Sequence, residues 1–134
     1  ISDLIRAAIW GYCRKTNVLP FTFNQTRLTY VGKEGKEPDV AYSFGEDKER
    51  PDLAVEVNLT SGNIDDLTKY QYLNIPEVWI WEQNRIGFFV KAQRGYSEVT
   101  TSDCLPGLES DRLTEMINAS FGKSPLEVEQ LFEN

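Results

Sequence analysis

Asp39 and Glu56 are the residues of this sequence best placed to do chemistry together. Each adjoins a short apolar run, "VAYSF" after Asp39 and "LAV" before Glu56. In an extended chain successive side chains alternate between faces, so Glu56 and Asn58 share one face while Val55 and Val57 take the other. If the two runs are neighbouring strands, both carboxylates converge on one side of a sheet. Two carboxylates a few ångström apart repel, and burial raises that cost unless a cation lies between them. Mg²⁺ suits the position, since it prefers oxygen ligands, keeps several waters and is often held by one or two carboxylates. The Val57 backbone carbonyl would supply a further oxygen. A plainer reading has Asp39 capping a turn after Pro38 and Glu56 pairing with a lysine at a solvated strand end.

The rest of the composition narrows the chemistry. There is no histidine, which removes Ser-His-Asp and Cys-His catalysis, His-ligated zinc and any imidazole general base. An enzyme built from this chain would work with carboxylates, Lys, Tyr or a hard metal ion. The net charge of -7 weighs against a nucleic-acid partner. The charge is unevenly placed, however: residues 1–60 carry eight Lys and Arg against nine Asp and Glu, and residues 61–134 six against twelve. The first half can therefore present a locally basic surface, with weak, salt-sensitive binding as the expected consequence. Two cysteines are too few for a disulfide scaffold, and no apolar run approaches the ~20 residues of a membrane span, so a cytoplasmic location is expected.

Periodicity supplies the elements that would hold these residues. Ile1, Leu4, Ile5, Ala8, Ile9, Tyr12 and Cys13 repeat at the spacing of an amphipathic helix, with Arg14 and Lys15 at its C-terminal dipole. "FTFNQTRLTYV", "DVAYSF" and "DLAVEV" read as strands separated by the charged loops "GKEGKEP" and "GEDKERP". "SGN" is a turn and "IDDLTKYQYLN" a helix of about three turns. Trp79 and Trp81 alternate with Val78 and Ile80, the pattern of a strand buried on both sides, with a base-stacking platform as the alternative. "RIGFFVKA" and "YSEVTT" continue as a meander. "DRLTEMINASF" and "SPLEVEQLFEN" close the chain as helices, Ser124 capping the second with Pro125 at its first position. The result is one α/β domain over 1–134, a mixed central β-sheet flanked by helices. Because the chain starts inside a helical pattern, residues before Ile1 are expected to be missing.

"EPDVAYSF", "PDLAVEVNLTSG" and "YQYLNIPEVWIWE", in that order, resemble a restriction-endonuclease-like family of uncharacterised bacterial proteins, abundant in photosynthetic bacteria. That family is a branch of the PD-(D/E)XK nuclease superfamily, and the similarity runs from about Asp39 to Lys91, with a match for the first helix as well. The resemblance implies a restriction-endonuclease-like fold, with Asp39 and Glu56 as the two metal-binding acids and a further Glu contributed from a helix before Ile1. The lysine normally two residues after the second acid is replaced by Asn58. In this family it moves to the following helix, four residues before the tyrosine matched by Tyr70, where this chain has Asp66. Lys69, one turn further on, can reach back over Asp66 along the helix; otherwise the two form an ordinary surface pair.

The implied activity is a Mg²⁺- or Mn²⁺-dependent DNA endonuclease hydrolysing phosphodiester bonds. Asp39, Glu56 and Val57 would hold the metal and Lys69 would act on the water, with Arg14, Lys15, Arg27, Lys33 and Lys36 as candidate phosphate contacts. The alternatives are a catalytically inactive binding module of the same fold, or a structural homodimer formed through the Trp79–Ile80–Trp81 strand or a neighbouring helix.

Overall fold

The structure, a computed structural model, describes residues 1–23, 38–57, 67, 70, 71 and 74–132. Helix α1 (Ser2–Thr16) precedes strands β1 (Pro20–Thr22), β2 (Val40–Phe44) and β3 (Leu53–Val57). Strands β4 (Glu77–Glu82), β5 (Arg85–Lys91) and β6 (Tyr96–Val99) follow, then helices α2 (Ser110–Asn118) and α3 (Pro125–Glu129) and a 3-10 turn at Gln130–Phe132. The strands form one mixed sheet in chain order. Neighbours run antiparallel except β3 and β4, which are parallel. The expected α/β architecture with a mixed sheet is present.

Alternation along the strands divides the apolar residues between two faces. Val40, Tyr42, Leu53, Val55, Trp79, Trp81, Ile86 and Phe88 pack with α1, α2 and α3 into the larger core. Trp79 and Phe88 stack within it at 4.3 Å between ring centroids. Ala54, Val78 and Ile80 point the other way and meet Tyr70 and Ile75. The β4 strand is thus buried on both sides, which rules out both a base-stacking platform and self-association through Trp79, Ile80 and Trp81.

Helix α1 buries every member of its expected stripe except Ile1, which is half-buried. It ends where Asn17 adopts a left-handed φ of 62°, a conformation Asn tolerates better than most residues. Gly11 lets α3 approach closely: a Cβ there would lie 2.4 Å from the Glu129 carbonyl oxygen. Ser124 caps α3 as expected, accepting from the Glu127 N–H. One helix boundary differs from the sequence reading, and one tight turn goes beyond it. Helix α2 begins at Ser110 and stops at Asn118 rather than running from Asp111 to Phe121. Strands β4 and β5 join through Gln83 and Asn84 with φ of 51° and 60°, a two-residue hairpin in which both central residues are left-handed.

Most of the expected 64–74 helix lies outside the described residues, though Leu67, Tyr70 and Gln71 have helical backbone. The 61–63 turn, the 24–31 part of the first strand and most of the loop after it also lie outside.

Candidate functional site

The site is built where β2 begins and β3 ends. Val40 pairs with Val55 and Ala41 with Ala54, and Asp39 lies just before the first paired residue of β2, against the Val55–Val57 end of β3. Alternation along β3 places Glu56 on the Ala54 face. Three hydrogen bonds fix Asp39. Its N–H donates to the Val55 carbonyl at 3.0 Å, its Oδ2 accepts from the Val57 N–H at 2.8 Å, and its carbonyl accepts from Arg6 Nη2 at 3.1 Å. The Val57 nitrogen is two bonds from Glu56 Cα, which puts Asp39 Oδ2 within about 5 Å of that carbon. The structure therefore brings the first acid against the backbone of the second. Asp39 closes the end of the β3 ladder with its side chain instead of capping a turn after Pro38.

Glu56 is only 6% exposed, and its Oε1 accepts from the Tyr70 hydroxyl at 2.6 Å, the length of a hydroxyl–carboxylate bond. The Tyr70 ring is fully buried in the smaller core. Val57 turns its side chain to the larger core, and its N–H is the one held by Asp39.

Lys69, Asn58, Asp66, Arg27, Lys33 and Lys36 lie outside the described residues. Arg14 and Lys15 belong to α1, which covers the face opposite Glu56, and Arg14 is paired with Glu129 at 2.7 Å. The structure does not gather these two with the acids. Arg6 and Tyr70 are the neighbours that sequence reasoning missed. For Tyr70 a signal existed, because a buried tyrosine hydroxyl ordinarily finds a partner and Glu56 is the polar residue of the facing strand. For Arg6, 33 residues from Asp39 in the chain, there was none.

As a donor set, Asp39, Glu56 and the Val57 carbonyl are hard oxygens. They fit a cation that brings much of its own water, as Mg²⁺ does. They do not fit zinc, whose structural sites want nitrogen and sulfur. Among the described residues no group of three or more Cys, Asp or Glu gathers as a metal cage.

A second buried carboxylate belongs to the other face. Glu77, 1% exposed, accepts through Oε2 from Trp79 Nε1 and Ser102 Oγ, both at 2.6 Å. Its Oε1 accepts from the N–H groups of Asp103 and Cys104 at 2.8 and 2.9 Å. Burial, and then the Glu77 charge, push the Cys104 thiol well above its ordinary range. A cleft of about 230 Å³ opens beside Glu77, and Lys48 and Asp52, which also line it, are ion-paired at 2.7 Å.

The sequence model of the Uma2 family, described as "Putative restriction endonuclease", matches residues 1–122. The chain belongs to this family. The match covers α1, both acids, the described strands and α2, and it extends past the 39–91 stretch and first helix that carried the resemblance. Uma2 membership makes the sheet restriction-endonuclease-like and the protein nuclease-like in function. No curated protein matches the sequence. Among the described residues, no helix of this Uma2 chain is long and apolar enough to cross a membrane.

Proposed function

We propose that this Uma2 chain is a metal-dependent endonuclease that hydrolyses phosphodiester bonds in DNA. The reading is carried by the Asp39 Oδ2 to Val57 N–H bond, which holds one carboxylate against the segment bearing the other. Asp39, Glu56 and the Val57 carbonyl would hold Mg²⁺ or Mn²⁺. When bound, the ion would offset charge on the scissile phosphate and lower the pKa of a coordinated water. Asp39 contributes from a position locked by Val57, Val55 and Arg6; Glu56 contributes from a buried one. Lys69 would orient the attacking water or stabilise developing negative charge. Substrate phosphates would be met by the basic residues of the first half, and Arg6 joins them because it already stands at Asp39.

Asn58 and Asp66, at the two positions where relatives would carry lysine, favour a second reading: an inactive binding module of the same fold. Nicking of supercoiled plasmid with Mg²⁺ or Mn²⁺ separates the two. The endonuclease reading expects nicking by the wild type that is lost in Lys69→Ala and in Glu56→Ala. An inactive wild type, with activity appearing only in Asp66→Lys, would establish the binding module. Equal nicking by wild type and Glu56→Ala would defeat the endonuclease reading.

A further inference from the structure

We infer that Tyr70 is a positioning residue that sets Glu56 for metal binding; the inference rests on the endonuclease reading of the same site. A glutamate has three rotatable bonds, and ordering it costs side-chain entropy. The Tyr70 ring is 0% exposed, wedged among Ala54, Ile75, Val78 and Ile80, so its hydroxyl has a fixed address. From there it donates to Glu56 Oε1 at 2.6 Å, which fixes where that carboxylate sits before any ion arrives. Groups that orient a metal ligand in this way typically change metal affinity roughly ten- to hundredfold when removed. Tyr70 is not one of the groups proposed to hold the ion or meet the phosphate. It acts through Glu56.

Tyr96 supplies an internal control. It packs against the same small core, but its hydroxyl donates to the Ile75 carbonyl at 2.5 Å, away from either acid. Losing that hydroxyl perturbs the layer without touching Glu56.

The test is calorimetric titration of Mg²⁺ and of Mn²⁺ into the full chain without DNA, for wild type, Tyr70→Phe, Tyr96→Phe and Glu56→Ala. Tyr70→Phe is expected to raise the dissociation constant roughly tenfold or more, with Tyr96→Phe unchanged and Glu56→Ala without measurable binding. A dissociation constant for Tyr70→Phe within about twofold of wild type, or an equal loss in Tyr96→Phe, overturns the inference and leaves the endonuclease reading standing. No binding by wild type, or equal binding by Glu56→Ala, overturns the reading itself and the inference with it. If Tyr70→Phe does not fold, the wild-type chain labelled with fluorotyrosine answers instead. Its ¹⁹F spectrum should contain a resonance moved by Glu56→Gln and moved also by Mg²⁺. A Glu56-sensitive resonance that ignores Mg²⁺ overturns the inference.

Discussion

Glu56 and Glu77 stand on neighbouring parallel strands, both nearly out of solvent, yet they face opposite sides of the sheet from opposite ends of the pair. Glu77 is the first residue of β4, level with Leu53 at the start of β3; Glu56 is level with Ile80, towards the end of both strands. Glu77 divides its two oxygens among four fixed donors, two of them main-chain N–H groups of the loop after β6. It is a clasp that holds residues 102–104 onto the sheet. Glu56 reaches towards Tyr70 at the carboxyl end of the parallel pair, the end where open α/β sheets place their ligands. Burial is nearly the same in the two cases and the surroundings are not. A buried carboxylate marks a site through its place in the topology and the company it keeps.

Four substitutions or conditions bear on this contrast, from the greatest effect to the least. Glu56→Ala should lower metal-dependent plasmid nicking by at least about a hundredfold while urea unfolding stays cooperative; retention of nicking would place the chemistry elsewhere. Glu77→Ala should do the reverse. It strands the Trp79 indole N–H, the Ser102 hydroxyl and two backbone N–H groups in the interior, at a cost of about 3–5 kcal/mol of stability. Nicking per folded molecule should not change, and a specific loss of activity at full stability would erase the distinction between the two glutamates. Gly11→Ala, distant from both acids, should cost about 1–3 kcal/mol by forcing α3 off α1. A neutral result in thermal unfolding would mean that the two helices part without cost.

The smallest effect is alkaline. The Cys104 thiol is raised in the folded state, so the unfolded chain loses that proton first, near the ordinary thiol value. Its contribution to stability is complete below about pH 8.5 and falls as pH rises towards the folded value. The slope should be on the order of 1 kcal/mol per pH unit, and Cys104→Ala should flatten it in urea titrations. An unchanged slope would remove the thiol from the Glu77 cluster's electrostatics.

What was legible in the sequence was whatever depends on near neighbours. The 3.6-residue stripe of Leu4, Ile5, Ala8, Ile9 and Tyr12 marked α1, the alternation of Leu53, Val55 and Val57 marked β3, and Ser124 with Pro125 marked the start of α3. The motifs around Asp39 and Glu56 marked two acids, the first of which the structure holds against the Val57 N–H beside the second. The Gln83–Asn84 hairpin was hidden because neither residue is the glycine that usually announces left-handed backbone. Helix α2 stops short of Phe121, although the amphipathic pattern of 111–121 continues past Asn118. The Glu77 clasp was invisible for another reason: its donors in the loop lie 25 to 27 residues away, and no local pattern encodes that closure. The grip of Arg6 on Asp39 is hidden in the same way.

The order of the strands also governs how the molecule is made. Every described strand lies beside its predecessor in the chain, so the ladder can extend from one edge as synthesis proceeds, with the β3–β4 crossover as its longest wait. Helix α1 is made well before α3 but packs on it, and the Arg14–Glu129 pair spans 115 residues. The part of its apolar stripe that faces α3 must therefore stay uncovered, or be shielded by a chaperone, until residue 129 has left the ribosome. At about 5–20 residues per second that interval is roughly 6 to 23 seconds, the period in which a nascent copy is most exposed to aggregation.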